Sequence, residues 1–285
     1  MYKSLPFQLK FDLMIKRRES AVRDMPRGKE TLSWTSDTVT LVHGEQDAIL
    51  IDAFSSAGQT DELVDWIDSF DRDLKAIFIT HVDDGQFEGL RTLFNYFPTA
   101  KVIGPSQLLP AIKRGFDAEK AAANWARGFS DRVSPELVPI ERERGQTHYL
   151  EGHEMRALGV GAAGSDRVAL DIPSAGLVVG GEAVLNQTHA YLPADRAGRD
   201  GWIAALDRLE GLRPSWVVAR HGPLEPDCRP DHLSLTRSYI EDFERVNAQT
   251  KTPDELYQRM LELHPTRIDP GALWFSAHGA KKMAC

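Results

Sequence analysis

The chain has 285 residues, of which 42% are hydrophobic, enough to bury a large core without splitting into separate domains. Its 34 Lys plus Arg against 42 Asp plus Glu leave a formal charge of −8, and Lys16-Arg17-Arg18 is the one dense basic run, which argues against nucleic acid as a partner because phosphate binding needs a clustered positive face. No apolar stretch approaches the length of a bilayer span, and charges interrupt the N-terminal apolar residues. Cys228 and Cys285 are too few for a disulfide framework or a thiolate cluster, so the expectation is a cytoplasmic, membrane-free protein with plain thiols.

The elements read as strands alternating with amphipathic helices. Thr38 to Val42 and Ala48 to Ile51, ending in Asp52, are two adjacent strands. Thr60 is placed to cap a helix that carries Asp61 and Glu62 in its first turn and Leu63, Ile67 and Phe70 on one face. The run Leu74 to Thr80 reads as a buried strand, and Phe87, Leu90, Phe94 and Phe97 follow at helical spacing. The loop between them, Thr80 to Gln86, lies beyond the carboxyl end of a strand, where ligands gather in open α/β sheets.

Farther on, Arg167–Ile172 and Leu177–Gly180 flank Pro173-Ser174-Ala175-Gly176 as a hairpin. Trp202, Ile203, Leu206 and Leu209 form a helical stripe, Trp216 to Ala219 a strand, and His221-Gly222-Pro223 the loop after it. In the C-terminal part, Leu235, Tyr239, Phe243 and Val246 share a helix face, and Thr252-Pro253-Asp254-Glu255 is a capping box with proline at the first helical position. The segment Ser106 to Gly152 is polar and helix-compatible and takes no firm assignment.

Four stretches resemble, in order and spacing, the metallo-β-lactamase fold superfamily. They are Ala48 to Asp52, Thr80-His81-Val82-Asp83-Asp84-Gly85-Gln86-Phe87-Glu88-Gly89, Gly180-Gly181-Glu182 and Arg220-His221-Gly222-Pro223. His189-Ala190-Tyr191-Leu192 looks like the His-Pro-Tyr-Leu of one branch of hydrolases in that superfamily, as does Pro270-Gly271-Ala272-Leu273-Trp274. The resemblance implies a four-layered αβ/βα sandwich, built as one domain over 1–285 with an N-terminal extension at 1–30 and a C-terminal helical part at 230–285.

The family pattern is Thr-His-x-His-x-Asp-His-x-x-Gly, followed by a later His, a Gly-Asp and a His-Gly, which together bind two metals. Here His81 and His221 are kept, Asp83 stands at the second His, Gly85 replaces the Asp and Gln86 the third His. Gly161-Ala162-Ala163-Gly164-Ser165 stands where the family has His-Thr-Pro-Gly-Ser, and Glu182 stands at the bridging Asp. What the resemblance implies is thus a ligand set of His81, Asp83, Glu182 and His221. That set suits at most one ion, zinc, iron or manganese, and excludes a binuclear zinc centre.

An alternative reading needs no metal: the same side chains satisfy their own loops. Against it, Asp83, Asp84 and Glu182 would repel one another without a cation. Asp84 is the proposed general base and His189, facing the pocket, the second catalytic candidate, while His43, His148, His153, His232, His264 and His278 lie outside the motif and are set aside, His153 excepted as a spatial substitute for the ligand lost at Gly161. The leading function is a hydrolase-like enzyme acting on a small ester, lactone, amide or thioester. The alternatives are a metal-free binding or regulatory protein on the same fold, and a non-haem iron redox enzyme.

Overall fold

A computed structural model describes residues 7–19, 22, 25–28, 30–54, 57–81, 86–105, 137–140, 147–160 and 167–282. The strands are β1 (Lys10–Glu19), β2 (Trp34–His43), β3 (Asp47–Ile51), β4 (Asp73–Phe78), β5 (Lys101–Pro105), β6 (Leu137–Ile140), β7 (Thr147–Leu150), β8 (His153–Gly159), β9 (Val168–Ile172), β10 (Leu177–Gly181) and β11 (Trp216–Ala219). The helices are α1 (Ala57–Asp68), α2 (Gln86–Tyr96), α3 (Arg196–Gly211), α4 (His232–Gln249), α5 (Pro253–Leu263) and α6 (Pro270–Lys282). The strands form two sheets, one in the order β1 to β6 and one in the order β11-β10-β9-β8-β7.

The chain divides into two compact units, Met1–Met14 with Val39–Gly159 and Asp166–Leu177, and Ile15–Thr38 with Val160–Ser165 and Val178–Cys285. In the first unit, β2 and β3 run antiparallel, and β3, β4, β5 and β6 are parallel in turn. Parallel strands are covered on both faces, which is why β3 and the end of β4 are near-continuous apolar runs. Val39, Leu41, Leu50, Phe54, Leu63, Ile67, Ile77 and Leu93 form the core there, and each large side chain fully buried contributes roughly 1.5–3 kcal/mol. The β2–β3 turn is held from outside by the Glu151 carboxylate. It accepts the backbone N–H groups of Glu45, Gln46 and Asp47 at 2.9, 2.7 and 2.7 Å.

Two sequence expectations shift in detail. The first helix begins at Ala57, three residues ahead of its expected cap, and Thr60 is fully buried within it. Packing overrides the local capping signal here, because α2 comes in close: a Cβ on Gly89 would lie 1.8 Å from the Phe54 carbonyl oxygen and 3.0 Å from Thr60 Oγ1. In α4 the buried face is Leu233, Thr236, Tyr239, Ile240, Phe243 and Val246, while Leu235 is exposed. The 3.6-residue period fits either stripe, and the neighbouring elements decide which one turns inward.

In the second unit, helices α3 to α6 anchor the stretch that follows β10. Trp202 Nε1 donates to the Ala183 carbonyl at 2.7 Å, and Thr236 Oγ1 accepts the Leu185 N–H at 2.9 Å. Asp195 caps α3 through the Gly198 N–H, and Thr252 and Glu255 form the expected capping box of α5. Among the described residues, no helix is long and apolar enough to cross a membrane.

Candidate active site

Strand ends carry the polar residues in both units. In the first, β3 is followed by Asp52, whose backbone is left-handed at φ 64, a conformation Asp tolerates better than most residues. Its Oδ1 accepts the Thr80 N–H at 2.9 Å and its Oδ2 accepts the Thr80 hydroxyl at 2.8 Å. The Asp52 N–H itself donates to the Phe78 carbonyl at 2.7 Å, so the carboxyl end of β4 is clamped to the end of β3.

His81 follows, 3% exposed, with Nδ1 at 3.2 Å from Thr80 Oγ1. The single hydroxyl proton of Thr80 is already given to Asp52, so Nδ1 must be the donor in this contact. The neutral ring therefore carries its lone pair on Nε2, the form suited to accepting a proton or binding a cation.

In the second unit, Glu182 and His221 are brought together, with His221 Nε2 at 3.8 Å from Glu182 Oε1. His221 Nδ1 lies 2.6 Å from the Ser36 carbonyl oxygen and 3.4 Å from Asp37 Oδ1. A carbonyl only accepts, so Nδ1 again carries hydrogen and Nε2 is the outward atom. The loop is shaped by Ser36, whose hydroxyl donates to the Gly222 carbonyl at 2.7 Å and accepts the Gly222 N–H at 3.1 Å. A Cβ on Gly222 would come within 2.8 Å of Asn186 Nδ2, so a larger residue there would push the Asn186 side chain aside.

Behind His221 stands Asp37, 1% exposed, on the inner part of β2. Its Oδ1 also lies 3.0 Å from Arg18 Nε and 3.7 Å from Arg220 Nη2. Burial alone would raise the Asp37 pKa, but the Arg220 charge, the His221 contact and Arg18 outweigh it and hold the carboxyl well below the usual carboxylate range. Burial likewise opposes a charged His221. Its contacts with Asp37 and Glu182 and the Asp37 charge overcome both burial and Arg220, pushing the ring up to about 9.

His189 is 2% exposed and takes part in a buried network: Nδ1 lies 2.9 Å from the Tyr239 hydroxyl, and the His189 N–H donates to the Ile268 carbonyl at 2.9 Å. Arg267 lies over the Tyr239 ring at 4.5 Å and donates to the Thr188 carbonyl at 2.8 Å. Of the histidines set aside, His43, His232 and His264 pair with Asp12, Asp227 and Asp242. His153 opens β8, and burial pushes the Cys228 thiol up to about 11, which makes it a poor nucleophile.

Asp83 and Asp84 lie outside the described residues, as do Gly161 to Ser165. Among the described residues, no group of three or more His, Cys, Asp or Glu side chains converges as an ion would require. Glu182 and His221 supply two donors, and that pair alone does not fit a divalent cation.

The sequence reading missed Asp37, Arg18 and the clamp role of Asp52. The available signal was the polar run Thr35-Ser36-Asp37-Thr38 in a strand that then continues apolar. Every one of these four residues is buried. Buried polar groups in a strand need partners, and the partners are supplied from far along the chain.

The sequence pattern described as the metallo-beta-lactamase superfamily matches residues 33–221. No curated protein matches. Among solved structures, a metallo-beta-lactamase family protein from Thermus thermophilus is similar at 18% identity and TM-score 0.59, covering 95% of this chain and 93% of that one. A metallo-beta-lactamase from Pontibacter korlensis is similar at 19% identity and TM-score 0.56, covering 84% and 98%. A metal-soaked flavodiiron core from Synechocystis is similar at 14% identity and TM-score 0.57, covering 86% of this chain and 63% of that one. Identities this low carry the α/β sandwich fold and no particular activity. With the pattern spanning well over half of its length, the chain belongs to the metallo-beta-lactamase superfamily.

Proposed function

We propose that the protein is a hydrolase-like enzyme that cleaves a small ester, lactone, amide or thioester, with Glu182 and His221 as its proton-handling pair. The observation that carries this is the brace behind His221. Ser36 and Asp37 fix one face of the ring, and Nε2 is directed at a carboxylate that keeps 25% of its side-chain surface exposed. A buried carboxylate that orients an imidazole is a recurring device for holding a catalytic ring in one tautomer.

In this reading, Glu182 takes a proton from the attacking water as its oxygen adds to the carbonyl carbon. His221, in its protonated form, stabilises the oxyanion through Nε2–H and then gives that proton to the leaving group. His81 and Asp84 are separate acid–base candidates, to be read from the rates of His81→Ala and Asp84→Asn, and His189 is enclosed with Tyr239. The proposal includes at most one divalent ion, zinc, iron or manganese, or none, and routes no step of the reaction through it.

The test is a panel of 4-nitrophenyl esters, lactones and thioesters, run with total metal analysis of the same purified protein. Glu182→Gln and His221→Ala should each lower the rate by about 100-fold or more, the contribution typical of general acid–base groups. Full rates in both variants would remove the proposal. A second reading, a metal-free binding protein, is favoured by the same ion pairing: both ring nitrogens of His221 face oxygen atoms. Absence of both turnover and stoichiometric metal would select it.

A further inference from the structure

We infer that Arg18 is a specificity residue that holds a free carboxylate of the ligand beside His221. The favoured substrates are then esters, lactones, amides or thioesters of small acids that carry a second, ionised carboxyl group. The word substrate rests on the hydrolytic reading above, whereas the anion site rests on the geometry of the second unit alone.

Arg18 lies in β1 with 30% of its side-chain surface exposed, and its Nε donates to Asp37 Oδ1 at 3.0 Å. That same oxygen lies 3.4 Å from His221 Nδ1, so the Arg18 guanidinium and the His221 ring flank one buried atom. A bond at Nε fixes the plane of the guanidinium. The two terminal nitrogens have no partner among the described residues, and their fork matches the two oxygens of a carboxylate.

Asp37 also meets Arg220, whose side chain is fully buried, so one carboxylate faces two permanently charged guanidiniums and Arg18 is the one that reaches solvent. Its neighbour Arg17 is differently engaged, stacked over the Trp34 ring at 4.7 Å. The basic run of β1 is therefore not a diffuse cationic patch. It presents one pre-oriented guanidinium on the Asp37 oxygen that also meets His221 Nδ1, and pre-orientation lowers the entropic cost of binding.

The experiment uses succinate and its uncharged dimethyl ester as probes, read by titration calorimetry and by the Nε–H resonance of Arg18. Succinate should bind saturably and shift that resonance, and dimethyl succinate should do neither. Arg18→Ala should weaken succinate by at least about tenfold, the loss expected for charge-assisted hydrogen bonds. Arg18→Lys, which keeps the charge and loses the fork, should fall between, and it decides the matter if the alanine variant fails to fold. Arg17→Ala, which removes the neighbouring charge stacked over Trp34, should leave succinate affinity nearly unchanged.

Equal binding of the diester, equal binding by Arg18→Ala, no saturable binding, or loss of binding in Arg17→Ala each overturns the anion site. Intact, Arg18-dependent succinate binding without turnover of any ester retires the hydrolytic reading and leaves the anion site standing.

Discussion

Two corners of the molecule, each organised by one buried aspartate, use different physics. At Asp52 the carboxylate accepts a backbone N–H and a hydroxyl, both from Thr80, so the end of β4 is held by short, directional bonds to neutral donors. At Asp37 the partners are Arg18, Arg220 and His221, and the corner is held by charge. Neutral donors fix a loop and offer no charge for a ligand to compete for. A charge cluster fixes a ring while remaining responsive to protonation and to a new anion, which suits the corner where Glu182 and His221 meet.

Breaking each corner tests this contrast. Asp37→Ala leaves two guanidiniums without their buried counter-ion and should destabilise the fold by about 3–5 kcal/mol, the cost of removing one partner from a buried pair. Asp52→Ala leaves the Thr80 N–H and hydroxyl unmet and should cost about 2–4 kcal/mol in denaturant titrations. The asparagine variants sharpen the comparison. Asp52→Asn keeps an acceptor and tolerates a left-handed backbone, so it should be milder than its alanine variant, whereas Asp37→Asn removes the charge itself and should stay close to Asp37→Ala. If both corners respond alike to Asn, the distinction between them fails.

The acid limb of stability offers a further check. Because the folded-state pKa of Asp37 lies below its unfolded value of 3.8, its contribution is present above that value and is lost as pH falls below it. Unfolding profiles should show this loss in the native chain and not in Asp37→Asn. The smallest expected effect is Tyr239→Phe, which deletes a buried hydroxyl that meets His189 Nδ1 and the Ala190 backbone and should cost about 1–2 kcal/mol. A cost as large as that of Asp37→Ala would show that neutral bonds of the second unit weigh as much as its charges.

Much of the fold was legible because it rests on local rules. Strands β3, β4 and β11, the hairpin β9–β10, helix α3 and the α5 capping box follow from apolar periodicity, turn residues and caps, each read within about ten residues. Strand β1 and the hairpin β7–β8 were missed because their alternation is weak. β1 has only partly buried or exposed residues, and β7 buries Leu150 alone. The motif frame from Thr80 to Gly89 was equally readable, and Gly89 shows why the frame keeps its glycine: only that residue admits the approach to Phe54.

What the sequence by itself determined is therefore the order of elements from β2 to α2 and from β9 to α5, and the superfamily, because short-range periodicity and motif spacing encode these. Tertiary structure alone decided that Ser36 and Asp37 serve His221, that Asp52 clamps Thr80, that His189 is enclosed with Tyr239, and that Arg18 meets Asp37. These contacts join residues from 19 to 185 positions apart. No local rule reaches that distance, since buried polar groups take whichever partner the packed core brings within a hydrogen bond.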